Sequence, residues 1–208
     1  MDHEITRILD WSMAQRIRPG EKNSGDRHLV RAVPSGMLVA VADGIGHGSR
    51  AAEAAELAIA ELATMNLPSL VAAVQRCHEK LQRTRGVVLS LALFNAMQNT
   101  MVWLSVGNVE GRLLRLNPRG GSREQTLLLR GGVVGGNVPQ LVPTIVPVRY
   151  GDLLIFATDG IGSDFADDVK MSAPTQEIAD SIVERHWLGT DDALVLAARY
   201  EHNSQLAP

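Results

Sequence analysis

VAVADGIGHGSRAAEAAEL, residues 39–57, joins three unlike textures. An apolar run ends on Asp43, glycines follow at positions 44, 46 and 48, and an alanine-rich stretch begins. An unbroken apolar run that stops at glycine reads as a buried strand. The spacing beyond it predicts a helix over 47–65, with Ala51, Ala55, Ala58 and Leu62 on one face and Arg50, Glu53 and Glu61 on another. Asp43 therefore stands where a strand runs out and the backbone must fold back tightly. LLIFATDGIGSDF, residues 153–165, repeats the device: Asp-Gly-Ile-Gly occurs at both 43–46 and 159–162.

Upstream of this stretch, residues 5–11 and 28–33 read as strands, followed by the strong one at 37–42. A second helix is predicted to start near Pro68 and Ser69, since proline fits a first helical turn, with Leu70, Val74, Cys77 and Leu81 as its apolar stripe. Short strands follow over 87–94, 101–106, 111–116 and 126–129, separated by Asn, Gly and Pro signals. Pro143 and Pro147 bracket an extended piece, and 153–158 is a strongly apolar strand. A last helix is predicted over 175–185, with Ile178, Ile182 and Val183 inward, and a strand over 193–198. Residues 201–208 read as a loose tail. Helices toward both ends with strands between them predict an α+β arrangement in a single domain over 1–208, not alternating βαβ units.

Composition removes several function classes. The net charge of -3 is spread over mixed acids and bases, with no basic face for nucleic acid. Aromatics at 4% are too few for a base-stacking platform. A lone cysteine, Cys77, excludes an internal disulfide framework and sits at core spacing. MDHEITRILDW lacks the basic-then-apolar order of a secretory leader, and runs such as GVVLSLALF fall short of the ~18 residues of a membrane span. A cytoplasmic protein with no membrane partner is expected. No G-x-x-x-x-G-K-[ST] is present, and the glycine spacing at 44–48 is wrong for a dinucleotide loop. One cysteine and scattered histidines provide no zinc spacing.

The acids remain. Asp43 and Asp159 each follow a buried-looking strand and precede glycine. Either acid alone reads as a turn or cap residue, whereas two in matching contexts point to ligands. Glycine lets the backbone approach a ligand and turn its carbonyl toward it. Carboxylates with a backbone carbonyl are hard donors suited to Mg²⁺ or Mn²⁺. Asp191 and Asp192, just before the final strand, repel each other unless something positive lies near, or else are solvated turn residues. Together the three sites complete a cluster able to hold two divalent ions bridged by Asp43, an arrangement that lowers the pKa of a shared water and aims it at phosphorus. Asp26 reads equally as an outer-shell acceptor or a Ser-Gly-Asp turn. His47 reads as a general acid or as a packing and capping residue of the glycine loop. Arg85 and Arg27 are candidates to pair with a phosphate or are surface arginines. The acidic run Asp164, Asp167 and Asp168 reads as a solvated loop.

The ordered set DGIGHG, RGVVLSLALF, SVGNVEGRLLR, GGVVGG, LIFATDGI and DDALVLAAR resembles the metal-dependent serine/threonine phosphatases of type 2C, in particular their SpoIIE-like branch and its RsbX-like members. The resemblance runs from about Gly25 to Arg199. It implies a four-layer α-β-β-α sandwich of two antiparallel sheets flanked by helices, with the metal centre at the sheet edges. It also implies two Mn²⁺ or Mg²⁺ ions, Asp43 bridging them, the Gly44 carbonyl on the first, and Asp159 with Asp191 on the second. Asp192 falls where the family has a polar neighbour. The implied substrates are phosphorylated STAS-domain stressosome proteins of the RsbR and RsbS type; the alternatives are a phosphatase of an anti-anti-sigma factor, as in RsbU or SpoIIE, or a catalytically weak STAS-binding relative. Two departures stand out. Long-form members carry an arginine and a paired acid ahead of the first metal motif, where RPGEKNSGD keeps only Asp26. They also place histidine directly after Asp-Gly, where this chain has Ile45 and only later His47.

Overall fold

The structure, a computed structural model, describes residues 8–66, 69–118 and 123–202. In chain order the elements are β1 (Leu9–Arg16), β2 (Asp26–Val33), β3 (Gly36–Gly44), α1 (Ser49–Thr64), α2 (Leu70–Leu81), β4 (Val87–Asn95), β5 (Thr100–Val106), β6 (Glu110–Leu114), β7 (Glu124–Thr126), β8 (Thr144–Pro147), β9 (Leu153–Ala157), α3 (Thr175–His186) and β10 (Ala193–Tyr200). They form two five-stranded sheets, ordered β1-β10-β9-β6-β7 and β2-β3-β4-β5-β8, and every pairing is antiparallel.

Three apolar clusters give the layers. Leu38, Ala40 and Ala42 of β3 pack with Leu89 and Leu91 of β4 under α1 and α2, through Ala55, Ala58, Val74 and Cys77. Val39, Val41, Trp103, Phe156 and Leu196 fill the space between the sheets. Leu153, Ile155, Val195 and Ala197 meet α3 through Ile178, Ile182 and Val183. Because side chains alternate along a strand, both faces of each central strand are buried, which is why β3, β4, β9 and β10 read as unbroken apolar runs. The result is the expected α-β-β-α sandwich. The small alanines at 51, 54, 55 and 58, all fully buried, let α1 lie close on its sheet. Cys77 is a core residue as expected, and burial pushes its thiol up to about 12.

Several boundaries differ from expectation. The first strand is Leu9–Arg16, not 5–11, because its register is set by β10, from Leu9 opposite Tyr200 to Arg16 opposite Ala193; residues 5–7 lie outside the described ones. Helix α1 starts at Ser49 because Gly46 and Gly48 adopt φ of +90° and +73°, which no helix allows. For α2, Ser69 is the cap, its hydroxyl accepting the Ala72 N–H at 3.1 Å, while Pro68 is outside the described residues. The strand expected over 126–129 is instead Glu124–Thr126, where Arg112 of β6 reaches across to Glu124 and Thr126 at 2.6 and 3.1 Å. Of the expected loose tail, Glu201 is tied by its N–H to the Ile8 carbonyl at 2.9 Å, and 203–208 are not among the described residues. Among the described residues, no helix is long and apolar enough to cross a membrane.

Candidate metal centre

Strand alternation delivers acids to one end of the sandwich. Val39 and Val41 point between the sheets, so Asp43, two residues further along β3, keeps that inner face. Asp26 is its direct cross-strand partner on β2. From the other sheet, Leu154 and Phe156 of β9 and Leu194 of β10 face the same interior, so Thr158 and Asp192 inherit the inner face just beyond them. Asp159 and Asp191 follow in the adjoining loops. One hydroxyl stitches the two sheets: Thr158 Oγ1 donates to Asp26 Oδ2 at 2.8 Å and accepts the Leu194 N–H at 2.8 Å.

The acids lie in one another's field. Burial pushes Asp43 up to about 9, with Asp26, Asp159, Asp191 and Asp192 each adding repulsion and nothing opposing it. Asp26 is pushed up to about 7 by burial, opposed by the Thr158 hydrogen bond and reinforced by Asp192, Asp159 and Asp191. Among the described residues, no three His, Cys, Asp or Glu side chains close round a single point as a ready-made metal cage.

Hydrogen bonding sorts the acids. Both oxygens of Asp192 are taken, Oδ1 by the Arg18 N–H at 2.9 Å and Oδ2 by the Gly25 N–H at 2.7 Å, so this buried carboxylate clamps the loop leading into Asp26. Asp191 has one oxygen on the Asp192 N–H at 2.9 Å, and its carbonyl receives the Trp187 indole N–H at 2.9 Å. Asp159 is exposed and is steadied by Asn108, which donates to Oδ2 at 2.9 Å. Asp43, Asp159 and Asp191, and Asp26 through its second oxygen, are therefore the carboxylates with oxygens to offer. This donor set is hard and anionic, with no thiolate or imidazole among it, and fits Mg²⁺ or Mn²⁺.

The other sequence candidates part company. His47 is exposed and pairs with Glu21 at 2.6 Å, a carboxylate that also lies against Gly48 at the start of α1. Exposed, and with no side-chain cap hydrogen bond at the start of α1, it neither packs nor caps there; its hydrogen bond to Glu21 is what ties it to the loop. Arg27 gives Nη1 to the carbonyls of Ser24 and Asp26, at 2.7 and 2.8 Å, and Nη2 to Glu56 at 2.6 Å, which makes it a brace. Asp164 and Asp168 are exposed, as expected, and flank His186 at 3.2 and 3.8 Å. Three contributors were missed: Thr158, Asn108 and Trp187. Only Thr158 left a signal, as a hydroxyl ending an apolar strand. Asn108 reads as an ordinary turn residue, and Trp187 as core.

A model of the family described as stage II sporulation protein E, SpoIIE, matches residues 34–201. This chain belongs to the SpoIIE family. It is 28% identical over 170 residues to the phosphoserine phosphatase RsbX of Bacillus subtilis (strain 168), covering 79% of this chain and 81% of that protein. A solved structure from work on the bacterial stressosome, as a modular system adapted to control secondary messenger signalling, superposes with a TM-score of 0.82 at 33% identity, covering 92% of this chain and 99% of the other. RsbX crystallised with magnesium gives a TM-score of 0.81 at 22% identity, with 93% and 96% covered. The fold is that of the type 2C phosphatases, and with the family it makes this chain a protein serine/threonine phosphatase.

Within this SpoIIE-family site the glycines take a different part from the one expected of them. A Cβ on Gly44 would collide with the carbonyl oxygen of Ala51 in α1, and one on Gly160 with the carbonyl oxygen of Asp192. Each glycine makes room for neighbouring protein backbone, rather than for an ion, and so brings an acid up against the element behind it.

Proposed function

We propose that this chain is a metal-dependent, cytoplasmic phosphatase of phosphoserine or phosphothreonine on STAS-domain stressosome proteins of the RsbR and RsbS type. The observation that carries the reading is that both sheets send acids to one end of the sandwich, where Asp26, Asp159, Asp191 and Asp192 all act on Asp43. Asp43, the Gly44 carbonyl, Asp159 and Asp191 would hold two divalent cations. Bound there, such ions acidify a shared water and neutralise charge on the phosphoryl oxygens.

The chain's own residues prepare that chemistry. Thr158 holds Asp26 in place beside Asp43, Asn108 orients Asp159, and Trp187 fixes the backbone that presents Asp191. Asp192 locks the loop that carries Gly25, whose carbonyl in turn receives the Gly44 N–H at 3.1 Å. Hydrolysis in one step is in keeping with Cys77, the lone thiol, lying buried under α1 and held protonated. The 28% identity to RsbX and the 33% identity to the stressosome structure support the choice of substrate.

Phosphorylated STAS proteins of both types, and a phosphorylated anti-anti-sigma factor, are incubated with the chain and manganese. Phosphate release from the stressosome substrates, abolished by EDTA, is expected. Release from the anti-anti-sigma factor alone would move the substrate assignment, and no manganese-dependent release from any would refute the activity.

A further inference from the structure

The long-form arginine ahead of the first metal motif has no identifiable counterpart in RPGEKNSGD, whose Glu21 is engaged by His47. A phosphomonoester dianion nevertheless needs a cationic partner, and arginine supplies one with paired donors. We propose that Arg85, in the turn between α2 and β4, receives the substrate's phosphoryl oxygens. The inference rests on the phosphatase reading above.

Three observations support it. First, position: β3 and β4 pair through Asp43 opposite Val88 and Gly44 opposite Val87, and the Ile45 N–H continues the ladder to the Gly86 carbonyl at 3.0 Å. Arg85 thus stands across from Gly46, in Asp43's own loop. Second, contact: a Cβ on Gly46 would lie 2.7 Å from Arg85 Nη1, so the guanidinium rests on that bare glycine. Third, availability: Arg85 is exposed and makes no hydrogen bond or ion pair among the described residues. Its turn is stiff, however. Thr84 Oγ1 donates to the Leu81 carbonyl at 2.8 Å and accepts the Gly86 N–H at 3.0 Å, and Gly86, at φ +79°, fits against Val134. A cation with free donors on a rigid base, set against Gly46 in Asp43's loop, is poised for an anion that the acids alone would repel.

Other arginines near the site are less well placed. Arg27 is spent on two carbonyls and Glu56, and Arg112 on Glu110 and Glu124. Arg18 and Arg130 meet Asp192 and Gly107 through backbone atoms, and neither guanidinium lies against Gly46 among the described residues, so both serve as comparison variants.

The test uses the full chain loaded with manganese, p-nitrophenyl phosphate as substrate and inorganic phosphate as competing ligand. Arg85→Gln is expected to weaken inhibition by inorganic phosphate, and to raise KM, about tenfold or more. Its manganese titration should match the wild type. Arg85→Lys should recover part of the loss, and it serves as the second variant should Arg85→Gln fail to fold by circular dichroism. Calorimetric titration of phosphate gives a readout independent of turnover. An active wild type with phosphate affinity unchanged in Arg85→Gln, or lowered instead in Arg18→Gln or Arg130→Gln, overturns this inference and leaves the phosphatase reading intact. A wild type that releases no phosphate overturns both.

Discussion

The two Asp-Gly-Ile-Gly segments share a sequence but not a conformation. In both, the acid ends a buried strand and the next glycine is forced by a backbone carbonyl, that of Ala51 in the first and Asp192 in the second. Beyond that they diverge. The first passes through left-handed glycines at 46 and 48 into α1. In the second, Gly162 does not adopt a left-handed φ; Ile161 bridges Trp187, and the Gly162 N–H binds the His186 carbonyl at 2.8 Å, lacing the loop to the end of α3. The repeat is thus one of chemistry. Each copy brings a carboxylate, from a different sheet, into the field of the other, and whatever follows is shaped by the element it must join.

That comparison can be broken at its strongest point first. Asp43→Asn and Asp159→Asn should each lower manganese-dependent turnover by about three orders of magnitude, several kcal/mol of barrier, with circular dichroism unchanged. Near-wild-type turnover in either would mean that the two acids do not serve one centre. Next, Gly44→Ala and Gly160→Ala should both destabilise, by about 3 kcal/mol or a melting point about 6–12 °C lower, since in each the obstacle is backbone that cannot swing aside. Only one of the two falling would show that the shared glycine is not under a shared constraint.

Protonation offers a third probe that separates the copies. Asp43, raised from 3.8 to about 9, and Asp26, raised to about 7, keep protons in the fold that the unfolded chain releases near pH 4. Their contribution to folded stability is therefore fully present below that pH and is lost as pH climbs through 7 toward 9. In EDTA the melting temperature should fall across this window, and Asp43→Asn should flatten the upper part of the fall while raising the melting point near pH 8. The smallest expected difference lies in the fourth positions of the motif. Gly46→Ala, at φ +90°, should cost about 1–2 kcal/mol in denaturant titration, and Gly162→Ala under about 1 kcal/mol. Equal costs would contradict the divergence described above.

Much of this was readable from residues. Period-two and period-3.6 patterns located the central strands and all three helices, because elements with buried faces must carry them in sequence. The edge strands β1 and β7 slipped, since their limits depend on a neighbour: β10 for one, and Arg112 of β6 for the other. Motif repetition singled out Asp43 and Asp159. It could not show that Asp192 is a clamp and Asp191 an open carboxylate, because two adjacent acids look alike until the N–H groups of Arg18 and Gly25 arrive from far along the chain. Nor could it choose between Arg27 and Arg85, which differ only in whether Glu56 and two carbonyls lie within reach.

Local pattern, then, was enough for which segments are buried, where the chain turns, and which side chains carry chemistry, since each of those follows from neighbours within a few residues. Which acids face one another, which of them are already satisfied, and which of Arg27 and Arg85 is left without a partner were settled by folding alone. Hydrogen bonds and charge repulsion act through space, between residues here as much as 174 positions apart.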